Sequence, residues 1–315
     1  MNPKVTVIIP IYQAEQYLER CIRSLMEQTL GEMEYIFIND CTPDKSMDVL
    51  KDVLSDYPQR KGSIRLVENS ENRGTAYVRT QGLKLANGDY VGWCDADDWC
   101  ELDMFEKMWT VAVRDNCDIV ICNYCVDADN SSQKVRRKRI NNPHAYIYQL
   151  YKEPYCLSEA LWDKLVKRSL IVENQVFPFE GIDRGEDFNM YIRTFYYAKK
   201  CEVLNDCLYH YWNNPISMTK KKEDWTKQKE NFDLVVAFLE QQDKVGLKKT
   251  CDFIKFTVKM QFKHLFMSEV EWFQVYRECH SSIIYFESIP LVNRIVLQIV
   301  YSSYFFFRLY KKIHG

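Results

Sequence analysis

The densest group of acidic residues in the chain follows an apolar stretch that begins at Tyr90. Asp95, Asp97 and Asp98 place three carboxylates within four residues. An apolar run of this kind predicts a buried strand, and in an open α/β sheet ligands bind beyond the strand ends. Crowded carboxylates repel one another unless a cation lies among them, and their oxygens suit Mg²⁺ or Mn²⁺. One interpretation is a cation bound together with phosphate oxygens. The other is a polar turn in which Asp97 or Asp98 caps the next helix.

Further polar residues follow other predicted elements. Asp40 ends the second predicted strand, and a carboxylate there can accept hydrogen bonds from a nucleobase. The residues from Pro10 to Tyr12 end the first strand and offer an aromatic face to the same crevice. Asn72-Arg73-Gly74 leads into a helix N-terminus, where anions bind readily. Glu186 and Asp187 form a second acidic pair at a predicted helix start, and simple compensation of the helix dipole is their alternative role.

These residues are positioned by a regular alternation of strand and helix. The segments 5–9, 35–38 and 64–67 and the apolar run ending at Asp95 predict four strands, of which the first and the last read as buried. Apolar residues at helical spacing predict helices over 18–26, 47–54 and 76–86 between them. This pattern predicts an α/β fold with a mostly parallel sheet flanked by helices. In such a sheet Asp40 and Asp95 lie at the same edge.

The rest of the chain predicts further helices and a change of character near residue 224. We expect helices over 102–114, 157–171 and 186–198 and a buried apolar run over 119–126. From about residue 224 the pattern is mostly helical. The prediction is a catalytic domain over 1–223 and a helical C-terminal extension over 224–315.

Composition limits the classes of function. The chain has 315 residues, 47% of them hydrophobic, which is enough for a large core. A net charge of −2 argues against nucleic acid as a partner. Most of the 12 cysteines fall in apolar runs, which indicates buried free thiols and a cytoplasmic protein. The chain runs from Met1 directly into the first strand, so no signal peptide is expected.

Five of the six residues from 134 to 139 are cationic. A solvated loop or edge strand is one interpretation of this segment. A lip that attracts a phosphate-bearing substrate is the alternative.

The C-terminal segment over 289–307 is strongly apolar but is interrupted by Pro290, Asn293, Arg294 and Gln298. A membrane span requires about 20 nearly uninterrupted apolar residues, so a span is not predicted. Aromatic residues followed by Lys311 and Lys312 are typical of a helix lying on a membrane surface. A helix packed on the protein's own core is the equal alternative.

Taken together, these motifs resemble family 2 glycosyltransferases of the GT-A fold, in the branch that builds bacterial surface polysaccharides. The resemblance covers roughly residues 4–220. Each motif is short, but their order and spacing agree with the family. The matching segments are Pro10-Ile11-Tyr12, Ile36-Phe37-Ile38-Asn39-Asp40, Asn72-Arg73-Gly74, Asp95-Ala96-Asp97-Asp98, Trp162-Asp163-Lys164-Leu165, Phe177-Pro178-Phe179-Glu180-Gly181, Glu186-Asp187 and His210-Tyr211-Trp212 with Ser217.

The resemblance implies an inverting transfer of a sugar from a nucleotide-sugar donor, a UDP-sugar, to a glycan or lipid-linked glycan. Asp95 and Asp97 would form the D-x-D pair, in which Asp95 touches the ribose and both hold Mn²⁺ or Mg²⁺ on the diphosphate. Asp187 would be the general base, with Glu186 as its neighbour. The implied nucleotide-binding residues are Pro10, Tyr12, Asp40, Asn72, Arg73 and Asp95. The C-terminal segment lies outside this resemblance, and its membrane-surface interpretation would place the helix on the inner leaflet and make the protein peripheral on the cytoplasmic face.

Three departures from the family pattern leave the donor open: Gln13, Cys41-Thr42-Pro43 and Thr80. One alternative is a non-catalytic partner that binds a nucleotide sugar or a lipid, but such a protein would be expected to lose the Glu186–Asp187 pair. A sugar-phosphate nucleotidyltransferase is a second alternative. The absence of glycine between Pro10 and Glu15 argues against it, because that class resembles proteins with a glycine-rich phosphate loop after the first strand.

Overall fold

The computed structural model describes residues 3–129, 131–137, 139–140, 142–152, 160–214, 225–261 and 268–314. Contacts divide the chain into two compact units. Unit 1 comprises Met1–Pro143 and Leu157–Lys222, and unit 2 comprises His144–Cys156 and Glu223–Gly315. The predicted domains 1–223 and 224–315 remain a prediction. The contacts additionally assign His144–Cys156 to unit 2.

Unit 1 is built around one sheet whose strands are β1 (Val5–Ile11), β2 (Met33–Asn39), β3 (Ile64–Glu68), β4 (Tyr90–Trp93), β5 (Trp99–Cys100), β6 (Ile119–Ala128), β7 (Ser131–Val135), β8 (Lys164–Lys167) and β9 (Cys201–Trp212). The strand order is β3-β2-β1-β4-β8-β6-β9-β5, and β7 pairs with β6 at the side. The strands β1 to β4 are all parallel, and β6 is parallel to β9. The remaining pairs are antiparallel. The α/β prediction is confirmed.

The helices that belong to unit 1 are α1 (Leu18–Met26), α2 (Ser46–Ser55), α3 (Thr75–Leu85), α4 (Met104–Arg114), α6 (Arg168–Glu173) and α7 (Glu186–Tyr197), with a 3₁₀ helix at Pro58–Ser63. Helix α1 buries Leu18, Cys21, Ile22 and Leu25, the face that its periodicity predicts. Helix α3 packs closely on β1 at Gly82, where a Cβ would lie 2.5 Å from Cγ2 of Ile8. Nearly all residues of β1 and β2 are buried.

The predicted helix over 157–171 is wrong in its described part. Residues Lys164–Lys167 form β8, which lies between β4 and β6, and only Arg168–Glu173 are helical. Val166 pairs with Val91 on one side and with Ile119 on the other. A four-residue segment is too short to show a helical or a strand periodicity, so tertiary pairing decides its conformation.

Unit 2 is helical, as predicted for the C-terminal part of the chain. Its helices are α8 (Trp225–Asp243), α9 (Lys248–Gln261), α10 (Glu269–Gln274), α11 (Leu291–Ser302) and α12 (Tyr304–His314), with a 3₁₀ helix at Arg277–Tyr285. The short helix α5 (Pro143–Ile147) leads into this unit, and the side chain of Thr250 donates a hydrogen bond to the carbonyl of Ile147. In the described ranges, no helix combines the length and the apolarity needed to cross a membrane.

Candidate active site

The candidate site lies where three parallel strands end side by side. Ile11 of β1 pairs with Asn39 of β2, and Ile8 of β1 pairs with Trp93 of β4. The residues that follow, Asp40 and Asp95, therefore lie at the same edge of the sheet. This is the crevice in which open α/β sheets bind ligands.

The acidic turn after β4 is held in place by its most buried member. Asp98 has no exposed surface, and its carboxylate accepts hydrogen bonds from the Tyr209 hydroxyl and from the backbone N–H of Trp212, each at 2.7 Å. Burial and the neighbouring carboxylates raise the pKa of Asp98 well above its usual range. Neither Asp97 nor Asp98 caps a helix, because α4 begins at Met104 after a short strand. The capping interpretation is therefore wrong, and Asp98 fixes the turn to β9.

The chain beyond the turn is held by a stack of side chains. Trp99 lies between the guanidinium of Arg20, 3.4 Å from its ring centroid, and the His210 ring, whose centroid is 4.8 Å away. His210 contacts Asp127 through Nδ1 at 2.7 Å and Glu101 through Nε2 at 3.0 Å. These contacts tie β5 to β9 and so fix the direction in which the turn leaves the sheet.

Asp97 fits the role of a ligand to a divalent cation. Its Oδ2 accepts a hydrogen bond from Nδ2 of Asn214 at 3.0 Å, and no lysine or arginine in the described ranges forms an ion pair with it. Burial and the charge of Asp95 raise the pKa of Asp97, opposed by the Asn214 hydrogen bond. A cation would remove this electrostatic penalty. Among the residues described, no group of three or more His, Cys, Asp or Glu side chains could hold a metal, so substrate phosphates and water would have to complete the coordination.

One arginine links the two acidic clusters that the sequence singles out. Arg79 of α3 is 3% exposed, and its guanidinium contacts Oδ1 of Asp95 at 3.2 Å and Oε1 of Glu186 at 2.7 Å. It also forms an ion pair with Asp187. Burial alone would lower the pKa of Arg79, but the charges of Glu186 and Asp95 raise it. The carboxylates at 95 and at 186–187 are thus parts of one site.

The acidic pair occupies the first turn of α7. Gly185 precedes the helix in the left-handed region with φ 74°. The side chain of Glu186 is 10% exposed and that of Asp187 is 25% exposed. Burial raises the pKa of Glu186 in spite of its ion pair with Arg79. Asp187 is therefore the member of the pair that is more open to a substrate.

Asp40 shapes the loop between β3 and α3. Its Oδ1 accepts hydrogen bonds from Nδ2 of Asn69 and from the backbone N–H of Arg73, and its Oδ2 accepts one from the backbone N–H of Gly74, all at 2.9 Å. The Arg73 side chain is exposed, pairs with Glu71 at 3.1 Å and lies 4.4 Å from the centroid of the Tyr77 ring. Asp40 thus contacts the backbone of Arg73, and the roles of both residues in nucleotide binding stay predictions.

Three further predicted residues lie at the strand edge or in the loop beside it. Pro10 is partly buried within β1, and Tyr12 follows the strand with 40% of its surface exposed. Asn72 is exposed in the loop that Asp40 organises. Their positions leave them open to a ligand, and their roles stay predictions.

The N-terminus of α3, predicted to meet an anion, contacts an anion from this chain. The Asp183 carboxylate accepts a hydrogen bond from the backbone N–H of Ala76 at 3.2 Å. It also lies where a Cβ on Gly74 would project. The loop that leads to the acidic pair is thereby fastened to α3.

The basic segment over 134–139 begins in an edge strand, and one of its cations has a structural role. Residues Ser131–Val135 form the edge strand β7, and Lys138 lies outside the described residues. The Arg137 side chain is 7% exposed and its Nε contacts Oδ2 of the fully buried Asp163 at 3.0 Å. Asp163 also pairs with Lys164 at 2.6 Å. Arg137 is therefore a structural residue that anchors β7, which weakens the interpretation of this segment as a phosphate-attracting lip.

Sequence reasoning missed the residues that join the motifs to one another: Arg79, Asp183, Tyr209 and Asn214. An arginine on the buried face of a predicted helix was the available signal for Arg79, since an unpaired charge is rarely buried. The contacts of Asp183, Tyr209 and Asn214 had no local signal. Ser217, the last residue of the motif that closes the domain, lies outside the described residues.

Comparison with known proteins identifies the family. The Glycosyl transferase family 2 model matches residues 6–179, more than half of the chain. The chain belongs to this family, and the predicted resemblance is confirmed.

The chain is similar to two glycosyltransferases in sequence and to one solved structure in fold. The uncharacterized glycosyltransferase EpsJ of Bacillus subtilis is 30% identical over 231 residues, which cover 70% of this chain and 64% of EpsJ. The poly(ribitol-phosphate) beta-glucosyltransferase of Bacillus spizizenii is 28% identical over 66% of this chain and 32% of its own length. The chain thus spans less than two thirds of either relative. The structure of S. aureus TarS 1-349 in complex with UDP-GlcNAc has a TM-score of 0.72 at 16% identity, covering 95% of this chain and 91% of TarS 1-349. That likeness shows the fold alone, and the predicted GT-A fold is confirmed.

Proposed function

We propose that this glycosyltransferase moves a hexosyl or N-acetylhexosaminyl group from a UDP-sugar to a hydroxyl of a glycan or lipid-linked glycan, with inversion, in surface polysaccharide synthesis. The observation that carries the proposal is the position of Arg79, which contacts Asp95 at the donor edge and the acidic pair at the start of α7. One site therefore holds carboxylates for the donor side and for the acceptor side of a displacement.

On the donor side, Asp40 and Tyr12 would bind the base, Asp95 the ribose, and Asn72 and Arg73 would help to position the nucleotide. Asp95 and Asp97 would hold Mn²⁺ or Mg²⁺. When bound, the cation supplies positive charge that stabilises the departing diphosphate. The structure of TarS 1-349 in complex with UDP-GlcNAc supports UDP as the nucleotide.

On the acceptor side, Asp187 would accept the proton of the attacking hydroxyl. The bond that forms joins the acceptor oxygen to the anomeric carbon of the sugar. The bond that breaks joins that carbon to the diphosphate, which leaves as the nucleoside diphosphate. Arg79 would hold Asp187 and Glu186 in position beside the donor. The partial exposure of the Asp187 side chain supports this assignment over Glu186.

The acceptor class is supported by the relative named poly(ribitol-phosphate) beta-glucosyltransferase, whose name gives a polymer as its acceptor. All cysteines within the described ranges are free, which supports a cytoplasmic location. A lipid-linked acceptor would be held at a membrane, and we propose that α11 and α12 contact the cytoplasmic face of that membrane.

The test is thermal stabilisation of the protein by UDP, GDP and dTDP, each with and without Mn²⁺. A ligand that binds the folded state raises the Tm according to its affinity. We expect stabilisation by UDP that requires Mn²⁺, followed by transfer from a UDP-sugar. No shift with any nucleotide would contradict the donor site. A shift without transfer to any glycan acceptor would favour a non-catalytic nucleotide-sugar-binding partner.

A further inference from the structure

The last two helices of unit 2 expose an unusual amount of apolar surface. Helix α11 exposes Leu291, Val292, Ile295 and Ile299, and α12 exposes Phe305, Phe306, Leu309 and Ile313. Val292 and Phe305 each retain 71% of their surface and Ile313 retains 66%. On each helix these residues recur at spacings of three or four and so share one face, and an exposed apolar face of this kind marks an interaction site.

The inner faces of the same helices are already packed. Val300 and Tyr301 of α11 and Phe307 of α12 are buried. The Phe307 ring centroid lies 5.2 Å from that of Trp272 and 5.4 Å from that of Phe273. Three residues of this segment therefore pack in the core of unit 2. The exposed apolar side chains are not part of that core.

The charge of this segment is of one sign. Residues 288–315 contain no Asp or Glu, and they carry Arg294, Arg308, Lys311 and Lys312. A groove of about 610 Å³ on α12 is lined by Phe305 and Leu309 together with Arg308, Lys311 and Lys312. Glu269 also lines the groove and forms an ion pair with Lys311. Cations therefore lie directly beside the exposed apolar side chains.

We propose that α11 and α12 form a docking surface for a bilayer that contains anionic lipid. The apolar side chains would enter the acyl boundary, and Arg308 and Lys312 would contact lipid phosphates at the groove. The helix α12 has 11 residues. At 1.5 Å per residue it is about 16 Å long, so it lies in the interface and does not cross it. A second copy of this chain fits less well, because pairing the two surfaces would bring their cations together. The inference deepens the membrane part of the proposed function and does not depend on the transfer reaction.

The experiment is co-sedimentation of the full chain with vesicles of phosphatidylcholine alone or mixed with phosphatidylglycerol. We expect binding to the mixed vesicles that weakens with salt, and little binding to phosphatidylcholine. The double variant Arg308→Gln/Lys312→Gln should lower partitioning by about five-fold for each charge removed. The double variant Phe305→Ser/Ile313→Ser should lower it by about ten-fold or more.

The matched control is Lys244→Gln/Val245→Ser, which removes one exposed cation and an apolar side chain that is 88% exposed elsewhere in unit 2. It should bind vesicles as the wild type does. Equal loss in the control, or no preference of the wild type for anionic vesicles, would overturn the proposal. A wild-type dimer that Phe305→Ser/Ile313→Ser dissociates, without vesicle binding, would assign the surface to a second copy. UDP affinity measured on the same variants should be unchanged, so failure of the docking surface is distinguishable from failure of the donor site.

Discussion

Arg79 and Glu186 form an ion pair at 2.7 Å that is shielded on both sides, with 4% and 10% of the two side chains exposed. The residues lie 107 positions apart in the chain. Because a buried charge is stable only when it is paired, this contact fixes the start of α7 against α3. The guanidinium also contacts Asp95 at 3.2 Å, so the geometry of the whole acidic site depends on one side chain.

Replacing Arg79 should therefore affect both stability and activity. Arg79→Ala leaves buried carboxylates without their partner and should lower the free energy of unfolding by about 3–5 kcal/mol. Arg79→Lys keeps the charge, but one ammonium group cannot reproduce a fork of contacts to three carboxylates. We expect it to fold and to transfer sugar at least about ten-fold more slowly. Urea unfolding and initial rates measure these effects. Arg114→Lys, an exposed arginine whose side chain is 66% accessible, should change neither.

Asp187→Asn should leave nucleotide affinity unchanged and remove transfer. The amide cannot accept the acceptor proton, and loss of a general base costs about 10²–10⁴ in rate. Calorimetric titration with UDP and Mn²⁺ and a transfer assay separate the two effects. Asp103→Asn is the control and should have wild-type activity, because its partly exposed side chain precedes α4 and pairs only with Lys107 among the ion pairs of the described residues. Retained transfer in Asp187→Asn would move the base to another residue.

Alanine at Asp98 should lower the stability of the fold, whereas alanine at its neighbour Asp97 should change only metal and nucleotide binding. Asp98→Ala leaves the Tyr209 hydroxyl and the Trp212 N–H without their acceptor and should cost about 1–3 kcal/mol for each unpaired donor. Asp97→Ala removes a carboxylate whose charged form is disfavoured by burial and should not destabilise the fold. It should instead abolish the Mn²⁺ dependence of UDP binding. Unchanged Mn²⁺-dependent affinity in Asp97→Ala would contradict the metal role.

Gly74→Ala should destabilise the protein and loosen the loop before α7. Gly74 has φ 83° and ψ 163°, a region open essentially only to glycine, and forcing alanine there costs about 1–3 kcal/mol. The added Cβ would also collide with the Asp183 carboxylate. Gly62→Ala is the control, because a Cβ there meets nothing within 4 Å. Asp183→Ala alone measures the loss of the hydrogen bond from the Ala76 N–H. The destabilisation of Gly74→Ala/Asp183→Ala should then be smaller than the sum of the two single variants, because the collision is absent from it. Additive losses would mean that the collision contributes nothing.

Lys259 of α9 should make unit 2 more stable at alkaline pH. Its buried ammonium group donates hydrogen bonds to the carbonyls of Phe273 and Val275 and lies 2.9 Å from Nε2 of His280. Burial lowers the pKa of Lys259 to about 8 from its ordinary value of 10.5. Below pH 8 both the folded and the unfolded chain hold the proton. Between pH 8 and 10.5 only the unfolded chain holds it, so the free energy of unfolding rises with pH, by at most about 3 kcal/mol.

An NMR titration of lysine side-chain carbons measures this pKa directly, and chemical denaturation at pH 8 and pH 10 measures the linkage. Lys259→Met should show a smaller rise in stability across this range than the wild type. A normal lysine pKa for Lys259, or an equal rise in the variant, would contradict the prediction.

Local sequence patterns predicted most of the fold. The parallel strands β1 to β4 and the buried face of α1 follow from runs and periodicities that a few neighbouring residues define. The pattern failed at β8, where the segment Lys164–Lys167 joins the sheet because β4 and β6 offer it pairing on both sides. It also gave no indication that His144–Cys156 belongs to unit 2.

The sequence by itself determined that Asp40 and Asp95 share one edge, since strands that alternate with helices must run parallel and end together. It also determined a second acidic pair at a helix start. Only the tertiary structure decided that Arg79 joins the two clusters, that Asp98 is a buried anchor for β9, and that Asp183 lies on the N-terminus of α3. Each of these contacts joins residues more than 100 positions apart, and the partner of a buried charge is chosen by the packing of whole elements. Because such a partner is distant in the chain, no periodic pattern in the sequence indicates which residue it is.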